Sequence, residues 1–459
     1  MTAYKNLTQG NMGLQLISLA LPLLIGNIFQ QLYNTIDAIV IERYVGEAAF
    51  AALGIAGTVM NLFIFVLGGC CTGIAVIAAS LYGKGDFKSL RQEIFLSAVF
   101  GAAFTLLLSV LGIFGTPFIL KAIQTPAGVS IHVVKYLNII FSGLLASFFY
   151  NFFAAILRAV GNTQTALLFL IISILTNGIL ALLFVAEFHM GVEGAALATV
   201  IAQSLSALLC FVYIRRKQPF LRVRREDMCF NGPLIIKTGQ YAAISAMHQS
   251  SLYVGKLLVQ GVVNTMGLAA IAAYTATTRI EGIAQAFGDS GAEAISIFVA
   301  QNTGAGNHRR AAEGFGKGLV MLVLLGLALS AVIYTEAKLF LNILVSASNT
   351  TTMAYGVSYL HALCLFYFLC FAGNAFVGYF RGSGHVNIPF IGTTMHISIR
   401  VVLAYLLFSS LGLDAVAYAT GIGWVSIVLF QSIIFWKIRK GRGSDTANTD
   451  CIKQTVPSV

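Results

Sequence analysis

The chain has 459 residues, 58% of them hydrophobic and 10% charged, against about 25% charged in a soluble domain. These values exclude a soluble globular protein and specify a polytopic membrane protein. The net charge of +11 does not point to nucleic acid, because Lys and Arg gather between alternate apolar runs, which is the positive-inside pattern.

Apolar runs recur along the whole chain, each near the roughly 20 residues needed to cross a hydrocarbon core of about 30 Å. Spans of this length must be helices, since only helices satisfy their own backbone polar groups in lipid. They are expected at 14–40, 49–80, 92–118, 133–157, 164–186, 192–214, 235–262, 268–300, 312–334, 354–380, 387–409 and 414–437. The opening MTAYKNLTQGNMG has no basic start or A-x-A site, so the first span is expected to serve as an uncleaved insertion signal. A cytoplasmic N-terminus puts about 20 of the 28 Lys and Arg in cytoplasmic segments and about four in the opposite loops. Both termini are therefore expected in the cytoplasm, with the chain multi-pass in the inner (plasma) membrane.

Span one carries a polar stripe of Gln30, Asn34 and Asp37 on one helical face. A carboxylate at the bilayer centre costs roughly 2.5–3.5 kcal/mol on insertion scales, so Asp37 is read as facing a cavity and a partner, the alternatives being a helix-end Asp snorkelling to water or a buried structural ion pair. Span five adds Thr176 and Asn177, and span six adds Thr199. Oxygen ligands around Asp37 suit Na⁺, whereas burial of a lone carboxylate suits a proton, and the residues leave both open. Asn and Thr also serve as interhelical glue.

Between spans six and seven lies the basic cluster Arg215, Arg216, Lys217, Arg222, Arg224 and Arg225, interrupted by Pro219. It reads as a topogenic linker over 219–234 joining halves at 1–218 and 235–440, and it could also meet lipid headgroups. Residues 441–459 are rich in Ser, Thr, Asp and Asn and are expected to be a disordered cytoplasmic tail.

The halves repeat. Tyr82-Gly83-Lys84-Gly85-Asp86 matches Thr303-Gly304-Ala305-Gly306-Asn307 at an offset of 221. The same offset pairs Gly46 with Gly267, Gly191 with Gly412, Glu193 with Asp414 and Thr199 with Thr420, and nearby Arg158 to Asn162 pairs with Arg381 to His385. Six spans per repeat give both halves one orientation. The expected fold is therefore all-α, twelve transmembrane helices in two six-helix lobes related by a pseudo-two-fold axis along the membrane normal. Such repeats mark transporters, with the substrate between the halves.

Span eight places Glu281, Gln285, Asp289 and Glu293 four residues apart on one ridge. The first half has Met60, Ile64, Gly68 and Thr72 there, so the repeat does not require these acids. They are candidates for a second ion or a cationic substrate, or for internal neutralisation by Lys256, Arg279 and Arg400. His248, His361 and His396 read as packing residues. Seven cysteines with no C-x-x-C pair read likewise, without a disulfide frame or metal site. No G-x-x-x-x-G-K-[ST], H-E-x-x-H or G-x-S-x-G motif is present, so neither ATP hydrolysis nor hydrolytic catalysis is expected.

The segments IDAIVIERYVG, SLYGKGD with QNTGAGN, ILRAVGNTQTA with YFRGSGHVNIP, and GVEGAALATVIAQ together resemble the multidrug and toxic compound extrusion family over nearly the whole chain. The resemblance implies two six-helix lobes around a V-shaped cavity and secondary active antiport, not enzymatic activity. Organic, often cationic drugs would leave the cell in exchange for H⁺ or Na⁺, with no other cofactor. It implies a coupling site of Asp37, Asn177 and Thr199, with Asp37 a metal ligand only if the ion is Na⁺. Ala181 stands where many members have a second Asp, which favours a proton; Glu42 stands where Gly is usual. Gln30, Asn34, Glu281, Asp289, Glu293, Lys256 and Arg400 are the further substrate or ion candidates. The expected partners are small amphipathic or cationic molecules and the lipid bilayer, with the protein a monomer. A flippase for a lipid-linked precursor is the alternative, and an intramembrane lipid transferase a more distant one.

Overall fold

The computed structural model describes residues 6–122, 125, 127–345 and 349–454, with side chains described outside 32–40, 42, 47–48, 50–51, 122, 127 and 441–454. Among the described residues there are only helices and connecting turns. The first half holds α1 (Met12–Tyr44), α2 (Glu47–Lys84), α3 (Phe87–Ala122), α4 (Ala127–Ser142), α5 (Leu144–Ala159), α6 (Thr163–Leu182) and α7 (Gly191–Lys217). The second holds α8 (Gly232–Asn264), α9 (Leu268–Gly304), α10 (His308–Thr335), α11 (Ala337–Leu344), α12 (Thr350–Cys364), α13 (Tyr367–Gly382), α14 (Asn387–Leu411) and α15 (Asp414–Gln454).

Apart from short α11, these helices fall on the twelve expected spans, two of which are split into two helices; most run a few residues past the apolar run, and α15 continues to Gln454. Among the described residues eight helices are long and apolar enough to cross a membrane by length and composition, and there are ten spans if each bent pair counts as one. The two bent pairs were not foreseen. α4 and α5 meet at 50° across Gly143, and α12 and α13 at 54° across 365–366. Position 143 plus the 223-residue offset of the Arg158/Arg381 pair falls on Phe366, so the repeat copies the break as well as the spans. Short α11 and a π-helical stretch at Leu183–Glu187 were also missed, being too brief for a hydropathy signal.

Side chains and glycines set the helix ends. Asn11 caps α1, accepting from the amides of Gly13 at 3.0 Å and Leu14 at 3.3 Å, and Asn162 caps α6 through Thr165. Asp86 does the same before α3, accepting from the Ser89 amide at 3.0 Å. Nine glycines have positive φ, and eight of them form the repeat pairs 46/267, 85/306, 161/384 and 191/412. Backbone turns that favour glycine therefore recur in register.

The described chain divides into two compact units: Met1–Val254 with Gly282–Gly318 and Gly378–Val386, and Gly255–Glu281 with Leu319–Val377 and Asn387–Val459. The first has a core of Phe141, Phe148, Phe152 and Leu157, all essentially inaccessible. Its helices approach where side chains are absent. A Cβ on Gly69 or Gly73 of α2 would stand 2.5 Å from the Ala246 Cα or the Tyr241 carbonyl of α8, a small-xxx-small crossing. In the second unit α14 and α15 pack along one another and α12 packs on α15, around buried Tyr359, Tyr367 and Phe371. Exposed Phe114, Phe118, Leu175, Ile179, Leu406 and Trp436 are apolar surface suited to lipid.

Candidate functional site

In the first unit α1 packs on α6, and α6 on α7. A Cβ on Gly26 would stand 3.1 Å from Leu170, and one on Gly191, the first residue of α7 after the π-helical end of α6, would stand 3.7 Å from Val45 just after α1. The two helices therefore run parallel, and position 37, eleven residues past Gly26, comes level with the stretch holding Asn177 and Ala181. The side chains of Asn34 and Asp37 lie outside the described residues, as does that of Glu42; Gln30 is half-buried.

The other two members of the expected coupling set meet. Asn177 is buried, and the Thr199 hydroxyl lies 3.3 Å from its Oδ1 and 3.1 Å from the Ala195 carbonyl oxygen. Ala181, one turn further on, is buried and brings no carboxylate. Thr420, the repeat partner of Thr199, bonds the Val416 carbonyl in the same way at 2.7 Å.

The acids on α9 meet cations from several helices. Glu293 lies 2.8 Å from Arg158 Nε of α5. Asp289 is exposed, and Arg381 of α13 feels the charge of Glu293 and, more weakly, that of Asp289. Arg158 and Arg381 are repeat equivalents, so both copies of the R-x-x-G motif send their Arg to the same helix. That role was missed, although the motif itself was visible. Glu281 belongs to the second unit, where it is buried among Arg400 of α14, Tyr359 of α12 and, further out, exposed Lys256 of α8. Arg400 reaches the Tyr274 hydroxyl at 3.4 Å.

Glu93 was also missed. It sits fully buried on α3, accepting from Ser97 at 2.8 Å and from Thr238 of α8 at 2.7 Å. A single acid at the end of an amphiphilic stretch gave no sign of that burial. Of the histidines, His248 and His396 are buried, and His361 places Nε2 3.0 Å from the Tyr334 carbonyl oxygen. Among the described residues no group of three His, Cys, Asp or Glu is arranged to hold a metal ion.

The sequence profile of the MatE family matches residues 22–183 and again 245–406, two segments 223 residues apart that restate the internal repeat. The probable multidrug resistance protein YpnP of Bacillus subtilis is 28% identical over 84% of this chain and 85% of its own length. The probable multidrug resistance protein NorM of Thermotoga maritima is 26% identical over 92% and 90%. A solved MOP superfamily transporter from Pyrococcus furiosus has the same fold, with a TM-score of 0.86 at 22% identity over 95% of this chain and 97% of that one. These relatives are transporters rather than enzymes, and with two copies of the family's repeat in its sequence the chain belongs to the MatE family of multidrug and toxic compound extrusion transporters.

Proposed function

We propose that the protein is a secondary active antiporter of the plasma membrane that expels small amphipathic organic cations in exchange for protons, with Asp37 as the proton site. The observation that carries this reading is the buried Asn177–Thr199 pair on two helices beside α1, at the level of position 37. Polar oxygens are thus gathered where an intramembrane carboxylate needs them. Ala181 supports H⁺ over Na⁺, since a hard cation takes six or more oxygen ligands and here a second carboxylate is lacking.

The charge pattern favours cationic cargo over a pyrophosphate-linked lipid. A flippase would leave its cations free for phosphate, whereas Arg158 is paired with Glu293 and Arg400 shares its buried surroundings with the charge of Glu281. Both termini are placed in the cytoplasm and the protein is taken as a monomer. The test is efflux from proteoliposomes with an imposed pH or Na⁺ gradient, comparing wild type with Asp37→Asn. The pH gradient should drive wild-type efflux and the variant should lose it; undiminished efflux by the variant would sink the assignment.

A further inference from the structure

Eight buried side-chain polar atoms of the second unit have no hydrogen-bond partner among the described residues, and five of them, on four helices, are Glu281 Oε1, Tyr359 OH, Tyr367 OH, Arg400 Nε and His396 Nε2. Glu281 is 6% exposed, His396 8%, and the two tyrosines are fully enclosed. A structural ion pair would use up the carboxylate and the guanidinium, because leaving such atoms unsatisfied costs about 1–3 kcal/mol each, and more when charged. Here both keep a bonding site open.

Every titratable or charged group near Glu281 can be named. Arg400 comes from α14, with His396 one turn behind it; Tyr359 and Cys364 come from α12, Tyr367 from α13, Tyr274 from α9 itself, and exposed Lys256 from α8. Arg400 cannot give up its proton. Tyrosine hydroxyls can donate to a carboxylate or accept from a carboxylic acid, so this shell suits Glu281 in either state.

The repeat gives the cluster a meaning. At the 223-residue offset of the two matched segments, Arg400 stands at the position of Asn177. α14 and α8 are the second-half counterparts of α6 and α1. The second half thus carries a basic residue where the first has its amide, and the acid arrives on a different helix.

We propose that Glu281 is a second proton-binding site, its charge offset by the nearby Arg400 when ionised, with the Tyr359 hydroxyl able to donate to the carboxylate and to accept from the acid. The step is simple protonation, COO⁻ plus H⁺ giving COOH, with no other bond made or broken. Its coupling to cargo rests on the antiport reading above; the titration itself does not.

Two measurements on the purified full-length protein test it. The first is infrared difference spectroscopy across a pH jump without ligand. A carboxylic-acid carbonyl band should appear on acidification, persist in Asp37→Asn and vanish in Glu281→Gln; a band unchanged in Glu281→Gln overturns the proposal. Tyr359→Phe keeps the acid and removes the neighbouring hydroxyl, and should move the band; an unmoved band also overturns it.

The second is the pH dependence of binding of tetraphenylphosphonium, whose charge does not titrate. Each proton released on binding tightens affinity about tenfold per pH unit. Wild type should gain about a hundredfold per unit and Glu281→Gln about tenfold. A wild-type dependence in Glu281→Gln refutes the coupling of this site to cargo, while the infrared band decides the site itself. A dependence reduced by Glu281→Gln but untouched by Asp37→Asn would refute the Asp37 assignment and leave this one standing.

Discussion

Gly83 near the end of α2 and Gly304 at the end of α9 lie in a reciprocal contact that can be tested quantitatively. A Cβ on Gly83 would stand 2.6 Å from the carbonyl carbon and Cα of Gln301, and closer still to its oxygen. A Cβ on Gly304 would stand 2.7 Å from the carbonyl carbon and 2.9 Å from the Cα of Ser80. The repeat offset of 221 relates Gly83 to Gly304 and Ser80 to Gln301, so the two contacts are copies of each other. Non-bonded carbons prefer about 3.5–4.0 Å, so each alanine forces the backbones apart by about 1 Å.

No flexible side chain is there to yield. Overpacking of this kind costs about 1–3 kcal/mol, while replacing glycine in a helix returns about 0.5–1 kcal/mol. Gly83→Ala and Gly304→Ala should therefore each destabilise the purified protein by about 1–2 kcal/mol, and by similar amounts. Gly316→Ala in α10 is the control: nothing lies within 4 Å of its Cβ, so it should be neutral or stabilise by up to about 1 kcal/mol. Unfolding in mixed detergent micelles reads all three. Glycine variants as stable as the control would show that the backbones do not touch; one large and one absent effect would show that the contact is not reciprocal.

Asp227 in the linker is fully buried and accepts from Arg91 Nε at 2.7 Å and the Arg224 amide at 3.0 Å. Burial acts to raise its pKa, but the Arg91 hydrogen bond, the Arg224 amide and the two positive charges outweigh it and hold the carboxyl below its ordinary value. The sign follows: the contribution is complete above the unfolded value of about 3.9 and is lost as pH falls through the lower folded value. Asp227→Asn should cost about 1–3 kcal/mol at neutral pH, with the gap to wild type closing in acid, and a gap independent of pH would contradict this. Glu293→Gln removes a pair whose side chains are about a third exposed, so the loss in unfolding free energy should stay near 1 kcal/mol or below. Thr199→Val removes the hydroxyl beside Asn177 and should cost about 1 kcal/mol in the same assay, with a wild-type melting profile counting against the contact.

The spans were readable because lipid demands about 20 apolar residues per crossing, and that demand leaves long, unmistakable runs. The repeat was readable because Gly46, Gly85, Gly161 and Gly191 and their partners meet a backbone need that few other residues satisfy. The breaks at Gly143 and Phe366 were hidden inside continuous apolar runs, where periodicity carries no mark of a bend. Charge partners were the hardest to read. Glu281, Asp289 and Glu293 share a helical face, yet Arg158, Arg381 and Arg400 come from three other helices about 90 to 135 residues away in sequence, and only packing decides which acid each one meets.

Energetics make the second proton consequential. Exchange of one proton for one monovalent cation moves no net charge, so only the pH gradient drives it, at about 1.4 kcal/mol per pH unit. A second proton at Glu281 would carry one net positive charge inward per cycle and add about 2.3 kcal/mol for every 100 mV of potential. The two cases separate in proteoliposomes with equal pH on both sides and a potassium diffusion potential set by valinomycin. With Asp37 alone, efflux of tetraphenylphosphonium against its gradient is indifferent to that potential; with Glu281 as well, a potential negative on the cytoplasmic side drives it. Glu281→Gln should abolish the electrical response while keeping the response to pH. Wild-type transport that ignores the potential would confine coupling to a single proton and leave the Glu281 cluster without a part in driving export.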